Sequence, residues 1–393
     1  MVYYADLKAA IPPELIPDFL SKLYYVSEAL EEFNLTSEER NRVRFRLHPG
    51  NDEKAEMIAS RIAEVAEKMS HAYRPGDTKI LISRQDHAVP FGEDPHPALF
   101  DLGELFEYAP GRYGLGAFLT GLMEFFDGEL RRMAKKFSAA PYQFPSLIGA
   151  DALDRCKYIR SFPHSLTLVT HLREDLESVQ EFAKNARWDG SELSCQPENL
   201  SGIECLLAPS ICFHWYVWLA DSCQPESRAV TAIGKCFRYE SGNLKTLERL
   251  WDFTMREIIF VGSKQYVLAQ RQKAIDETVA LFDEWGLSYE IKSATDPFFI
   301  EDYSSQTMFQ SAFDLKYEAR ACLPYKLDTL AVGSFNYHQD FFGRSFSIKS
   351  ANEEPLHTSC VGFGLERLVL AFLAQYGLDP VLWPDAVRTG MTV

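Results

Sequence analysis

A chain of 393 residues, 46% hydrophobic and 24% charged, has ordinary globular usage, which excludes disorder and collagen-like structure and leaves room for two or three domains. A net charge of −16 excludes a general nucleic-acid coat, because phosphates are repelled on average, while a local basic patch stays compatible with it. Eight cysteines in so long a chain are no disulfide framework; they point to a reducing cytoplasm, with thiols buried or ligating metal.

In chain order, Pro12-Pro13 precede apolar residues at helical spacing (Leu15, Phe19, Leu23, Val26, Leu30) and predict a helix over 14–33. Arg42 to Leu47 alternates strictly, the period of a strand, with Val43, Phe45 and Leu47 on one face and Arg42, Arg44 and Arg46 on the other. A second helix follows over 52–71 and a second strand over 79–83, which together predict a small N-terminal α/β domain, residues 1–98. A stretch rich in Pro, Gly, Asp and His over 84–100 reads as the linker to a second domain, 99–393. Residues 118–137 form an amphipathic helix ending in Arg131, Arg132, Lys135 and Lys136, cations that favour its dipole. Long strands are predicted over 229–240, 250–262 and 329–338. Short turns between strands favour an antiparallel sheet, so the expected class is α+β. No apolar run approaches the roughly 18 residues of a membrane span, the best being Leu368 to Ala374. Met1 to Asp6 carry no basic segment followed by an apolar one, so no secretory signal is expected.

The phosphate-loop and dinucleotide glycine fingerprints are absent, as are the zinc-protease and nucleophile-elbow motifs. A nucleotide, if used, is held another way. Arg238 and Glu240 share one face of a predicted strand, and Arg249, Phe253 and Glu257 share a face of the next, with turn chemistry at Ser241-Gly242-Asn243 between them. Guanidiniums chelate phosphate oxygens and an aromatic plane stacks on a base; the same charges also fit a solvated ion-pair network. Gly362-Phe363-Gly364-Leu365-Glu366-Arg367 opens an apolar helix. A cation in that first turn opposes the helix dipole and is easier to understand beside a bound anion.

Phe237-Arg238-Tyr239-Glu240 followed by Arg249, Phe253 and Glu257 resembles motif 2 of the class II aminoacyl-tRNA synthetases, and Gly362 to Arg367 resembles their motif 3. Residues 141–163 are the candidate for the degenerate motif 1. The resemblance implies an antiparallel sheet flanked by helices, a homodimer, and ATP bound with Mg²⁺. It implies that Arg238 holds the α-phosphate, Glu240 faces the adenine amino group and Arg249 reaches the γ-phosphate. Phe253 and Arg367 would stack on opposite faces of the adenine. Ser334-Phe335-Asn336-Tyr337-His338-Gln339-Asp340 and Asp296-Pro297-Phe298-Phe299 narrow the resemblance to the amino acid:[carrier protein] ligases, homologues of the zinc-containing methanogen-type seryl-tRNA synthetases. That resemblance implies a zinc ion on Cys212, Glu257 and Cys360. Without it, both cysteines read equally as ordinary buried thiols. Ser334, Asn336 and His338 share a strand face and are candidates to line an amino-acid site, with Lys316 and Glu318 beside them. Thr329 to Gly333 lacks the metal-binding carboxylate that many class II enzymes place there.

The implied activity is activation of a small amino acid as its adenylate and transfer to the phosphopantetheine thiol of a carrier protein. Two alternatives stand beside it: a seryl-type enzyme acylating tRNA, and an inactive paralogue acting as a binding or regulatory protein. Bacterial seryl enzymes carry a long coiled coil for tRNA, and no heptads run here. The methanogen type has an N-terminal α/β domain, which residues 1–90 resemble. The Arg42, Arg44, Arg46 face would suit RNA, an acidic carrier protein or plain solvent.

Overall fold

The computed structural model describes residues 1–36, 39–72, 78–294 and 314–391. The Asp296 to Phe299 stretch lies outside the described residues. The first elements are β1 (Val2–Asp6), α1 (Ile16–Leu23), β2 (Leu30–Leu35), β3 (Arg42–Leu47) and α2 (Ala55–Ala72). β3 pairs antiparallel with β1 on one side and β2 on the other. Its strict alternation is realised: Val43, Phe45 and Leu47 are buried, and the three arginines point outward. The buried set packs on Phe19 and Leu23 of α1 and on Ile58 and Ile62 of α2. The helix predicted over 14–33 ends at Leu23, and its second half is a turn and β2. Leu30, Phe33 and Leu35 reach this core as readily from a strand, and pairing with β3 satisfies the backbone groups there.

The larger part of the chain continues with β4 (Ile80–Ser83), α3 (Ala117–Lys135), β5 (Ala140–Pro141), α4 (Cys212–Trp218), β6 (Arg228–Phe237), β7 (Asp252–Gly262), α5 (Lys264–Glu284), β8 (Tyr289–Ser293), β9 (Lys316–Leu323), β10 (Asp328–Tyr337), β11 (His357–Gly364) and α6 (Leu365–Tyr376). Eight strands form one sheet in the order β4-β8-β9-β10-β11-β7-β6-β5. All neighbours are antiparallel except β6 and β5. This is the expected α+β architecture. β4 forms where the sequence predicts a strand, but it extends this sheet and not the N-terminal one. Its backbone pairs with β8 through Ser83–Glu290 and Ile82–Ile291.

Alternation along the central strands separates two faces. Phe335, Val361, Phe363, Ile258 and Phe260 point to the helices α3, α5 and α6 and form the main core. α6 is buried all round except at Arg367, which accounts for the apolar run from Leu368 to Ala374 without a membrane. No helix among the described residues is long and apolar enough to cross one. Arg256 of β7 reaches the helix side and pairs with Asp127 of α3 through two contacts of 2.7 Å, fixing α3 to the sheet. Residues 141–163 hold the end of β5 and two short helices, Ala150–Arg155 and Tyr158–Ser161; Ala152, Leu153 and Cys156 join α4 in a second core.

Candidate active site

The other sheet face carries the chemistry. Register fixes which side chains meet: Glu318 opposes Ser334, Ser334 opposes Gly362, and Gly362 opposes Glu257. Glu318, Ser334 and Gly362 of this set, with Phe253 of β7, line a single cavity, whose walls also include Arg238, Glu240, Lys316 and Arg367. Gly362 keeps that floor open, because a Cβ there would overlap Cε of Met255.

The motif-2 residues sit slightly differently from a plain hairpin. β6 ends at Phe237 and β7 begins at Asp252, so Arg238, Glu240 and Arg249 lie on the connecting turns, not within strands. The pairing still continues through Arg238 N–H, which donates to Trp251 O at 2.8 Å. Two short 3-10 turns, Ser241–Asn243 and Thr246–Glu248, return the chain. Arg249 Nη1 donates to Glu240 Oε2 at 2.7 Å. The Arg238 guanidinium lies over the Phe253 ring, 5.3 Å from its centroid, and its Nε donates to Pro209 O at 3.0 Å. Arg367 donates from Nε to Glu248 O at 2.6 Å and from Nη1 to Ala331 O at 3.2 Å. Burial lowers its pKa, and the charge of Glu240 opposes that shift. Two guanidiniums, Arg238 and Arg367, and one aromatic plane thus line one cavity, with Arg249 joined to its wall through Glu240, an arrangement suited to a polyphosphate and a base.

Further along the same face, ligand atoms of Cys212, Glu257 and Cys360 lie within 4.8 Å of one another, all from buried residues. The sequence separates them widely. Cys212 starts α4, whereas Glu257 and Cys360 stand on the paired strands β7 and β11. Burial, then the neighbouring Cys360 charge, pushes the Glu257 carboxyl up to about 8. The Cys212 thiol is raised by its hydrogen bond to Cys360, and the same bond holds Cys360 low. Glu257 Oε2 is buried without a hydrogen-bond partner. Two sulfurs and a carboxylate gathered out of water, one oxygen unsatisfied, fit a metal ion of borderline softness.

The three candidates of β10 are brought to this cluster. Asn336 Nδ2 donates to Ser334 Oγ at 3.1 Å and to Cys360 Sγ at 3.5 Å. His338 Nε2 lies 3.7 Å from Cys360 Sγ, and its Nδ1 meets Thr358 Oγ1 at 3.0 Å. Lys316 and Arg320 flank Glu318 at 3.3 and 2.9 Å. Burial works against its charge, but those two cations prevail and lower its pKa. Glu318 thus places a carboxylate opposite Ser334, next to the Thr329–Gly333 stretch that lacks one.

Two supporting residues escaped the sequence reading. Ser210 Oγ donates to Glu257 Oε1 at 2.8 Å and lies 3.4 Å from Cys212 Sγ, joining two members of the trio. Its position two residues before Cys212 was the available signal. Glu366 accepts from Thr254 N–H at 2.9 and 2.8 Å and from Thr254 Oγ1 at 2.8 Å, so it ties the start of α6 to β7. It sat within the quoted motif, overshadowed by Arg367.

A sheet of this order, with guanidiniums at the turn between its paired strands and a glycine-flanked helix start, is the core of a class II tRNA synthetase. The family model described as tRNA synthetase class II core domain (G, H, P, S and T) matches residues 227–376. Amino acid–[acyl-carrier-protein] ligase 2 of Bradyrhizobium diazoefficiens is 33% identical over 283 residues, 71% of this chain and 82% of that protein. The chain belongs to the class II synthetase-like family that includes the amino acid–[acyl-carrier-protein] ligases. Type-2 serine–tRNA ligase of Methanopyrus kandleri is 27% identical over 273 residues, 66% of this chain and 52% of that one. The M. kandleri seryl-tRNA synthetase, solved in complex with an Aquifex aeolicus tRNASec, has the same fold. Its TM-score is 0.72 at 21% identity, covering 98% of this chain and 76% of that one.

Proposed function

We propose that this protein uses ATP and Mg²⁺ to activate a small amino acid as its adenylate. It then passes the aminoacyl group to the phosphopantetheine thiol of a carrier protein. The observation that carries the reading is the buried Cys212, Glu257, Cys360 cluster on the same side of the sheet as the cavity lined by Arg238, Phe253 and Arg367. In the first step the substrate carboxylate attacks the α-phosphorus, an acyl–phosphate bond forms, and the bond to pyrophosphate breaks. Arg238 neutralises the crowded α-phosphate, Arg249 meets the terminal phosphate, and Phe253 and Arg367 hold the adenine between them while Glu240 accepts from its amino group. A zinc ion on Cys212, Glu257 and Cys360 would supply Lewis-acid recognition of the substrate amino group. Ser334, Asn336 and His338 line the amino-acid end and orient what lies there. In the second step the acceptor thiol loses its proton, its sulfur bonds to the acyl carbon, and AMP leaves.

A division into an N-terminal unit and a catalytic unit belongs to this proposal, with β4 (Ile80–Ser83), which lies ahead of the expected boundary at residue 98, on the catalytic side because it pairs into the large sheet; a homodimer and a cytoplasmic setting belong to it as well. Acceptor choice favours a carrier protein, because two relatives of that name are 33% and 32% identical and are covered over 82% and 74% of their lengths. The second reading, acylation of tRNA, is favoured by the 27% identity to a serine–tRNA ligase. The test is amino-acid-dependent ATP–pyrophosphate exchange over a panel of amino acids, followed by transfer to a holo carrier protein or to tRNA. Exchange with one or two small amino acids and thioester formation are expected. No exchange with any amino acid refutes the activation step; acylation of tRNA alone moves the assignment to the second reading.

A further inference from the structure

The end of α1, in the N-terminal unit, lies against the turn that carries Glu240. Asn243 Nδ2 donates to Ser21 O at 3.0 Å across a gap of 222 residues in sequence. Gly242 meets the Tyr24 ring so closely that a Cβ there would overlap its Cδ1 and Cε1. That ring packs edge-on against Phe33 of β2 at 4.7 Å, which limits its retreat on that side. The next residue, Tyr25, stacks edge-on with His164 of the catalytic part at 5.3 Å. Burial raises the Tyr25 pKa first, and the nearby Glu240 charge raises it further. Glu240 thus lies near enough to Tyr25 for its charge to be felt there, and it accepts from Arg249.

We infer that the end of α1 braces the 240–243 turn, making Tyr24, Gly242 and Asn243 positioning residues for the nucleotide. They act through Glu240 and its partner Arg249. The inference rests on the proposed role of the cavity as an ATP site. It gives the N-terminal unit a part in the first step, whatever acceptor serves the second. Nothing in the motif itself demands a glycine at 242: its φ is not in the left-handed region, and the need arises from Tyr24.

The test measures ATP binding by calorimetry on the full chain, alongside exchange kinetics. Gly242→Ala is expected to weaken ATP binding by about 5–10-fold while the amino-acid KM stays within about 2-fold of wild type. Adding Tyr24→Ala removes the obstruction, so the Gly242→Ala/Tyr24→Ala double variant should bind ATP better than Gly242→Ala alone. A merely structural role would not give that recovery, nor a change confined to ATP. Asn243→Ala deletes one hydrogen bond and should weaken ATP by roughly 3-fold; it decides the matter if Gly242→Ala does not fold. ATP affinity unchanged in Asn243→Ala and in folded Gly242→Ala overturns the brace, as does a double variant no better than the single. Failure of the unaltered protein to bind ATP is a different result: it overturns the ATP-site reading and the inference with it.

Discussion

Truncating Glu366 should loosen the nucleotide end of the site from behind. Its side chain is 3% exposed and accepts from both the N–H and the hydroxyl of Thr254, at 2.8–2.9 Å. Glu366→Ala leaves two half-buried donors without that acceptor. Hydrogen bonds to a carboxylate contribute ~1.5–3 kcal/mol each, and the hydroxyl can turn to recover part of its loss, so about 3 kcal/mol of stability should go. Loss of an acidic group from the first turn of α6 adds a few tenths. Lys235, 3.5 Å away and 45% exposed, adds little. Glu366→Gln keeps one acceptor and should cost roughly half as much. Urea unfolding followed by tryptophan fluorescence measures both, and Thr254→Val closes a double-mutant cycle. Because Arg367 is the next residue, the alanine variant should also raise the ATP KM in the exchange assay. An alanine variant within about 0.5 kcal/mol of wild type, or a cycle with no coupling between Glu366 and Thr254, refutes the reasoning.

Other outcomes follow from the same geometry. Ser210→Ala removes the donor that joins Glu257 to Cys212, so zinc affinity, read by competition with a chromogenic chelator, should fall ~10–100-fold while the fold is retained; equal affinity would remove Ser210 from the metal's support. Arg238→Ala should lower exchange by at least ~100-fold with stability little changed, and a cellular phenotype that survives it would favour the binding-protein alternative. Lys22 is held by burial at a pKa of about 8, below the usual lysine value, so it gives up its proton more readily in the folded chain than in the unfolded one. Stability should therefore rise as pH climbs from about 8 toward 10.5 and be lost again on the way down. Lys22→Met should flatten that slope, removing a penalty of roughly 2–3 kcal/mol at pH 7. Denaturation midpoints at pH 7 and 9.5 that shift equally in both proteins would contradict this.

Local pattern revealed what local physics decides. The alternation of Arg42 to Leu47 announced β3 because one face had to be buried whatever it paired with. Leu15 to Leu30 did not announce its break, since apolar residues spaced for a helix also served a strand once β3 lay alongside. Ile80–Ser83 was visible as a strand but not its partner, because β8 lies about 200 residues on and no spacing encodes that pairing. The same limit applies to the site. The arginines and Phe253 fall within short motifs, so their neighbourhood was legible, but not that Arg238 and Arg249 would lie on the turns between the strands. Cys212, Glu257 and Cys360 meet only through strand register and the placement of α4, and it was family resemblance that joined them. Ser210 and Glu366 act by side-chain hydrogen bonds across the fold, which leave no periodic trace.

The attachment of β4 to the large sheet sets where this chain can be shortened. Arg84 N–H bonds to Tyr289 O at 2.8 Å and Ser293 N–H to Lys79 O at 2.9 Å, so residues 79–84 cover the outer edge of β8 along its length. A catalytic fragment beginning after residue 84 would bare that row of backbone donors and acceptors, an open template for another chain. Such a fragment should self-associate more than one beginning just ahead of Lys79, which keeps β8 paired and leaves the short β4 as the edge strand, as in the full chain. The first step in dissecting the two parts is therefore a matter of six residues that belong, by hydrogen bonding, to the part they precede.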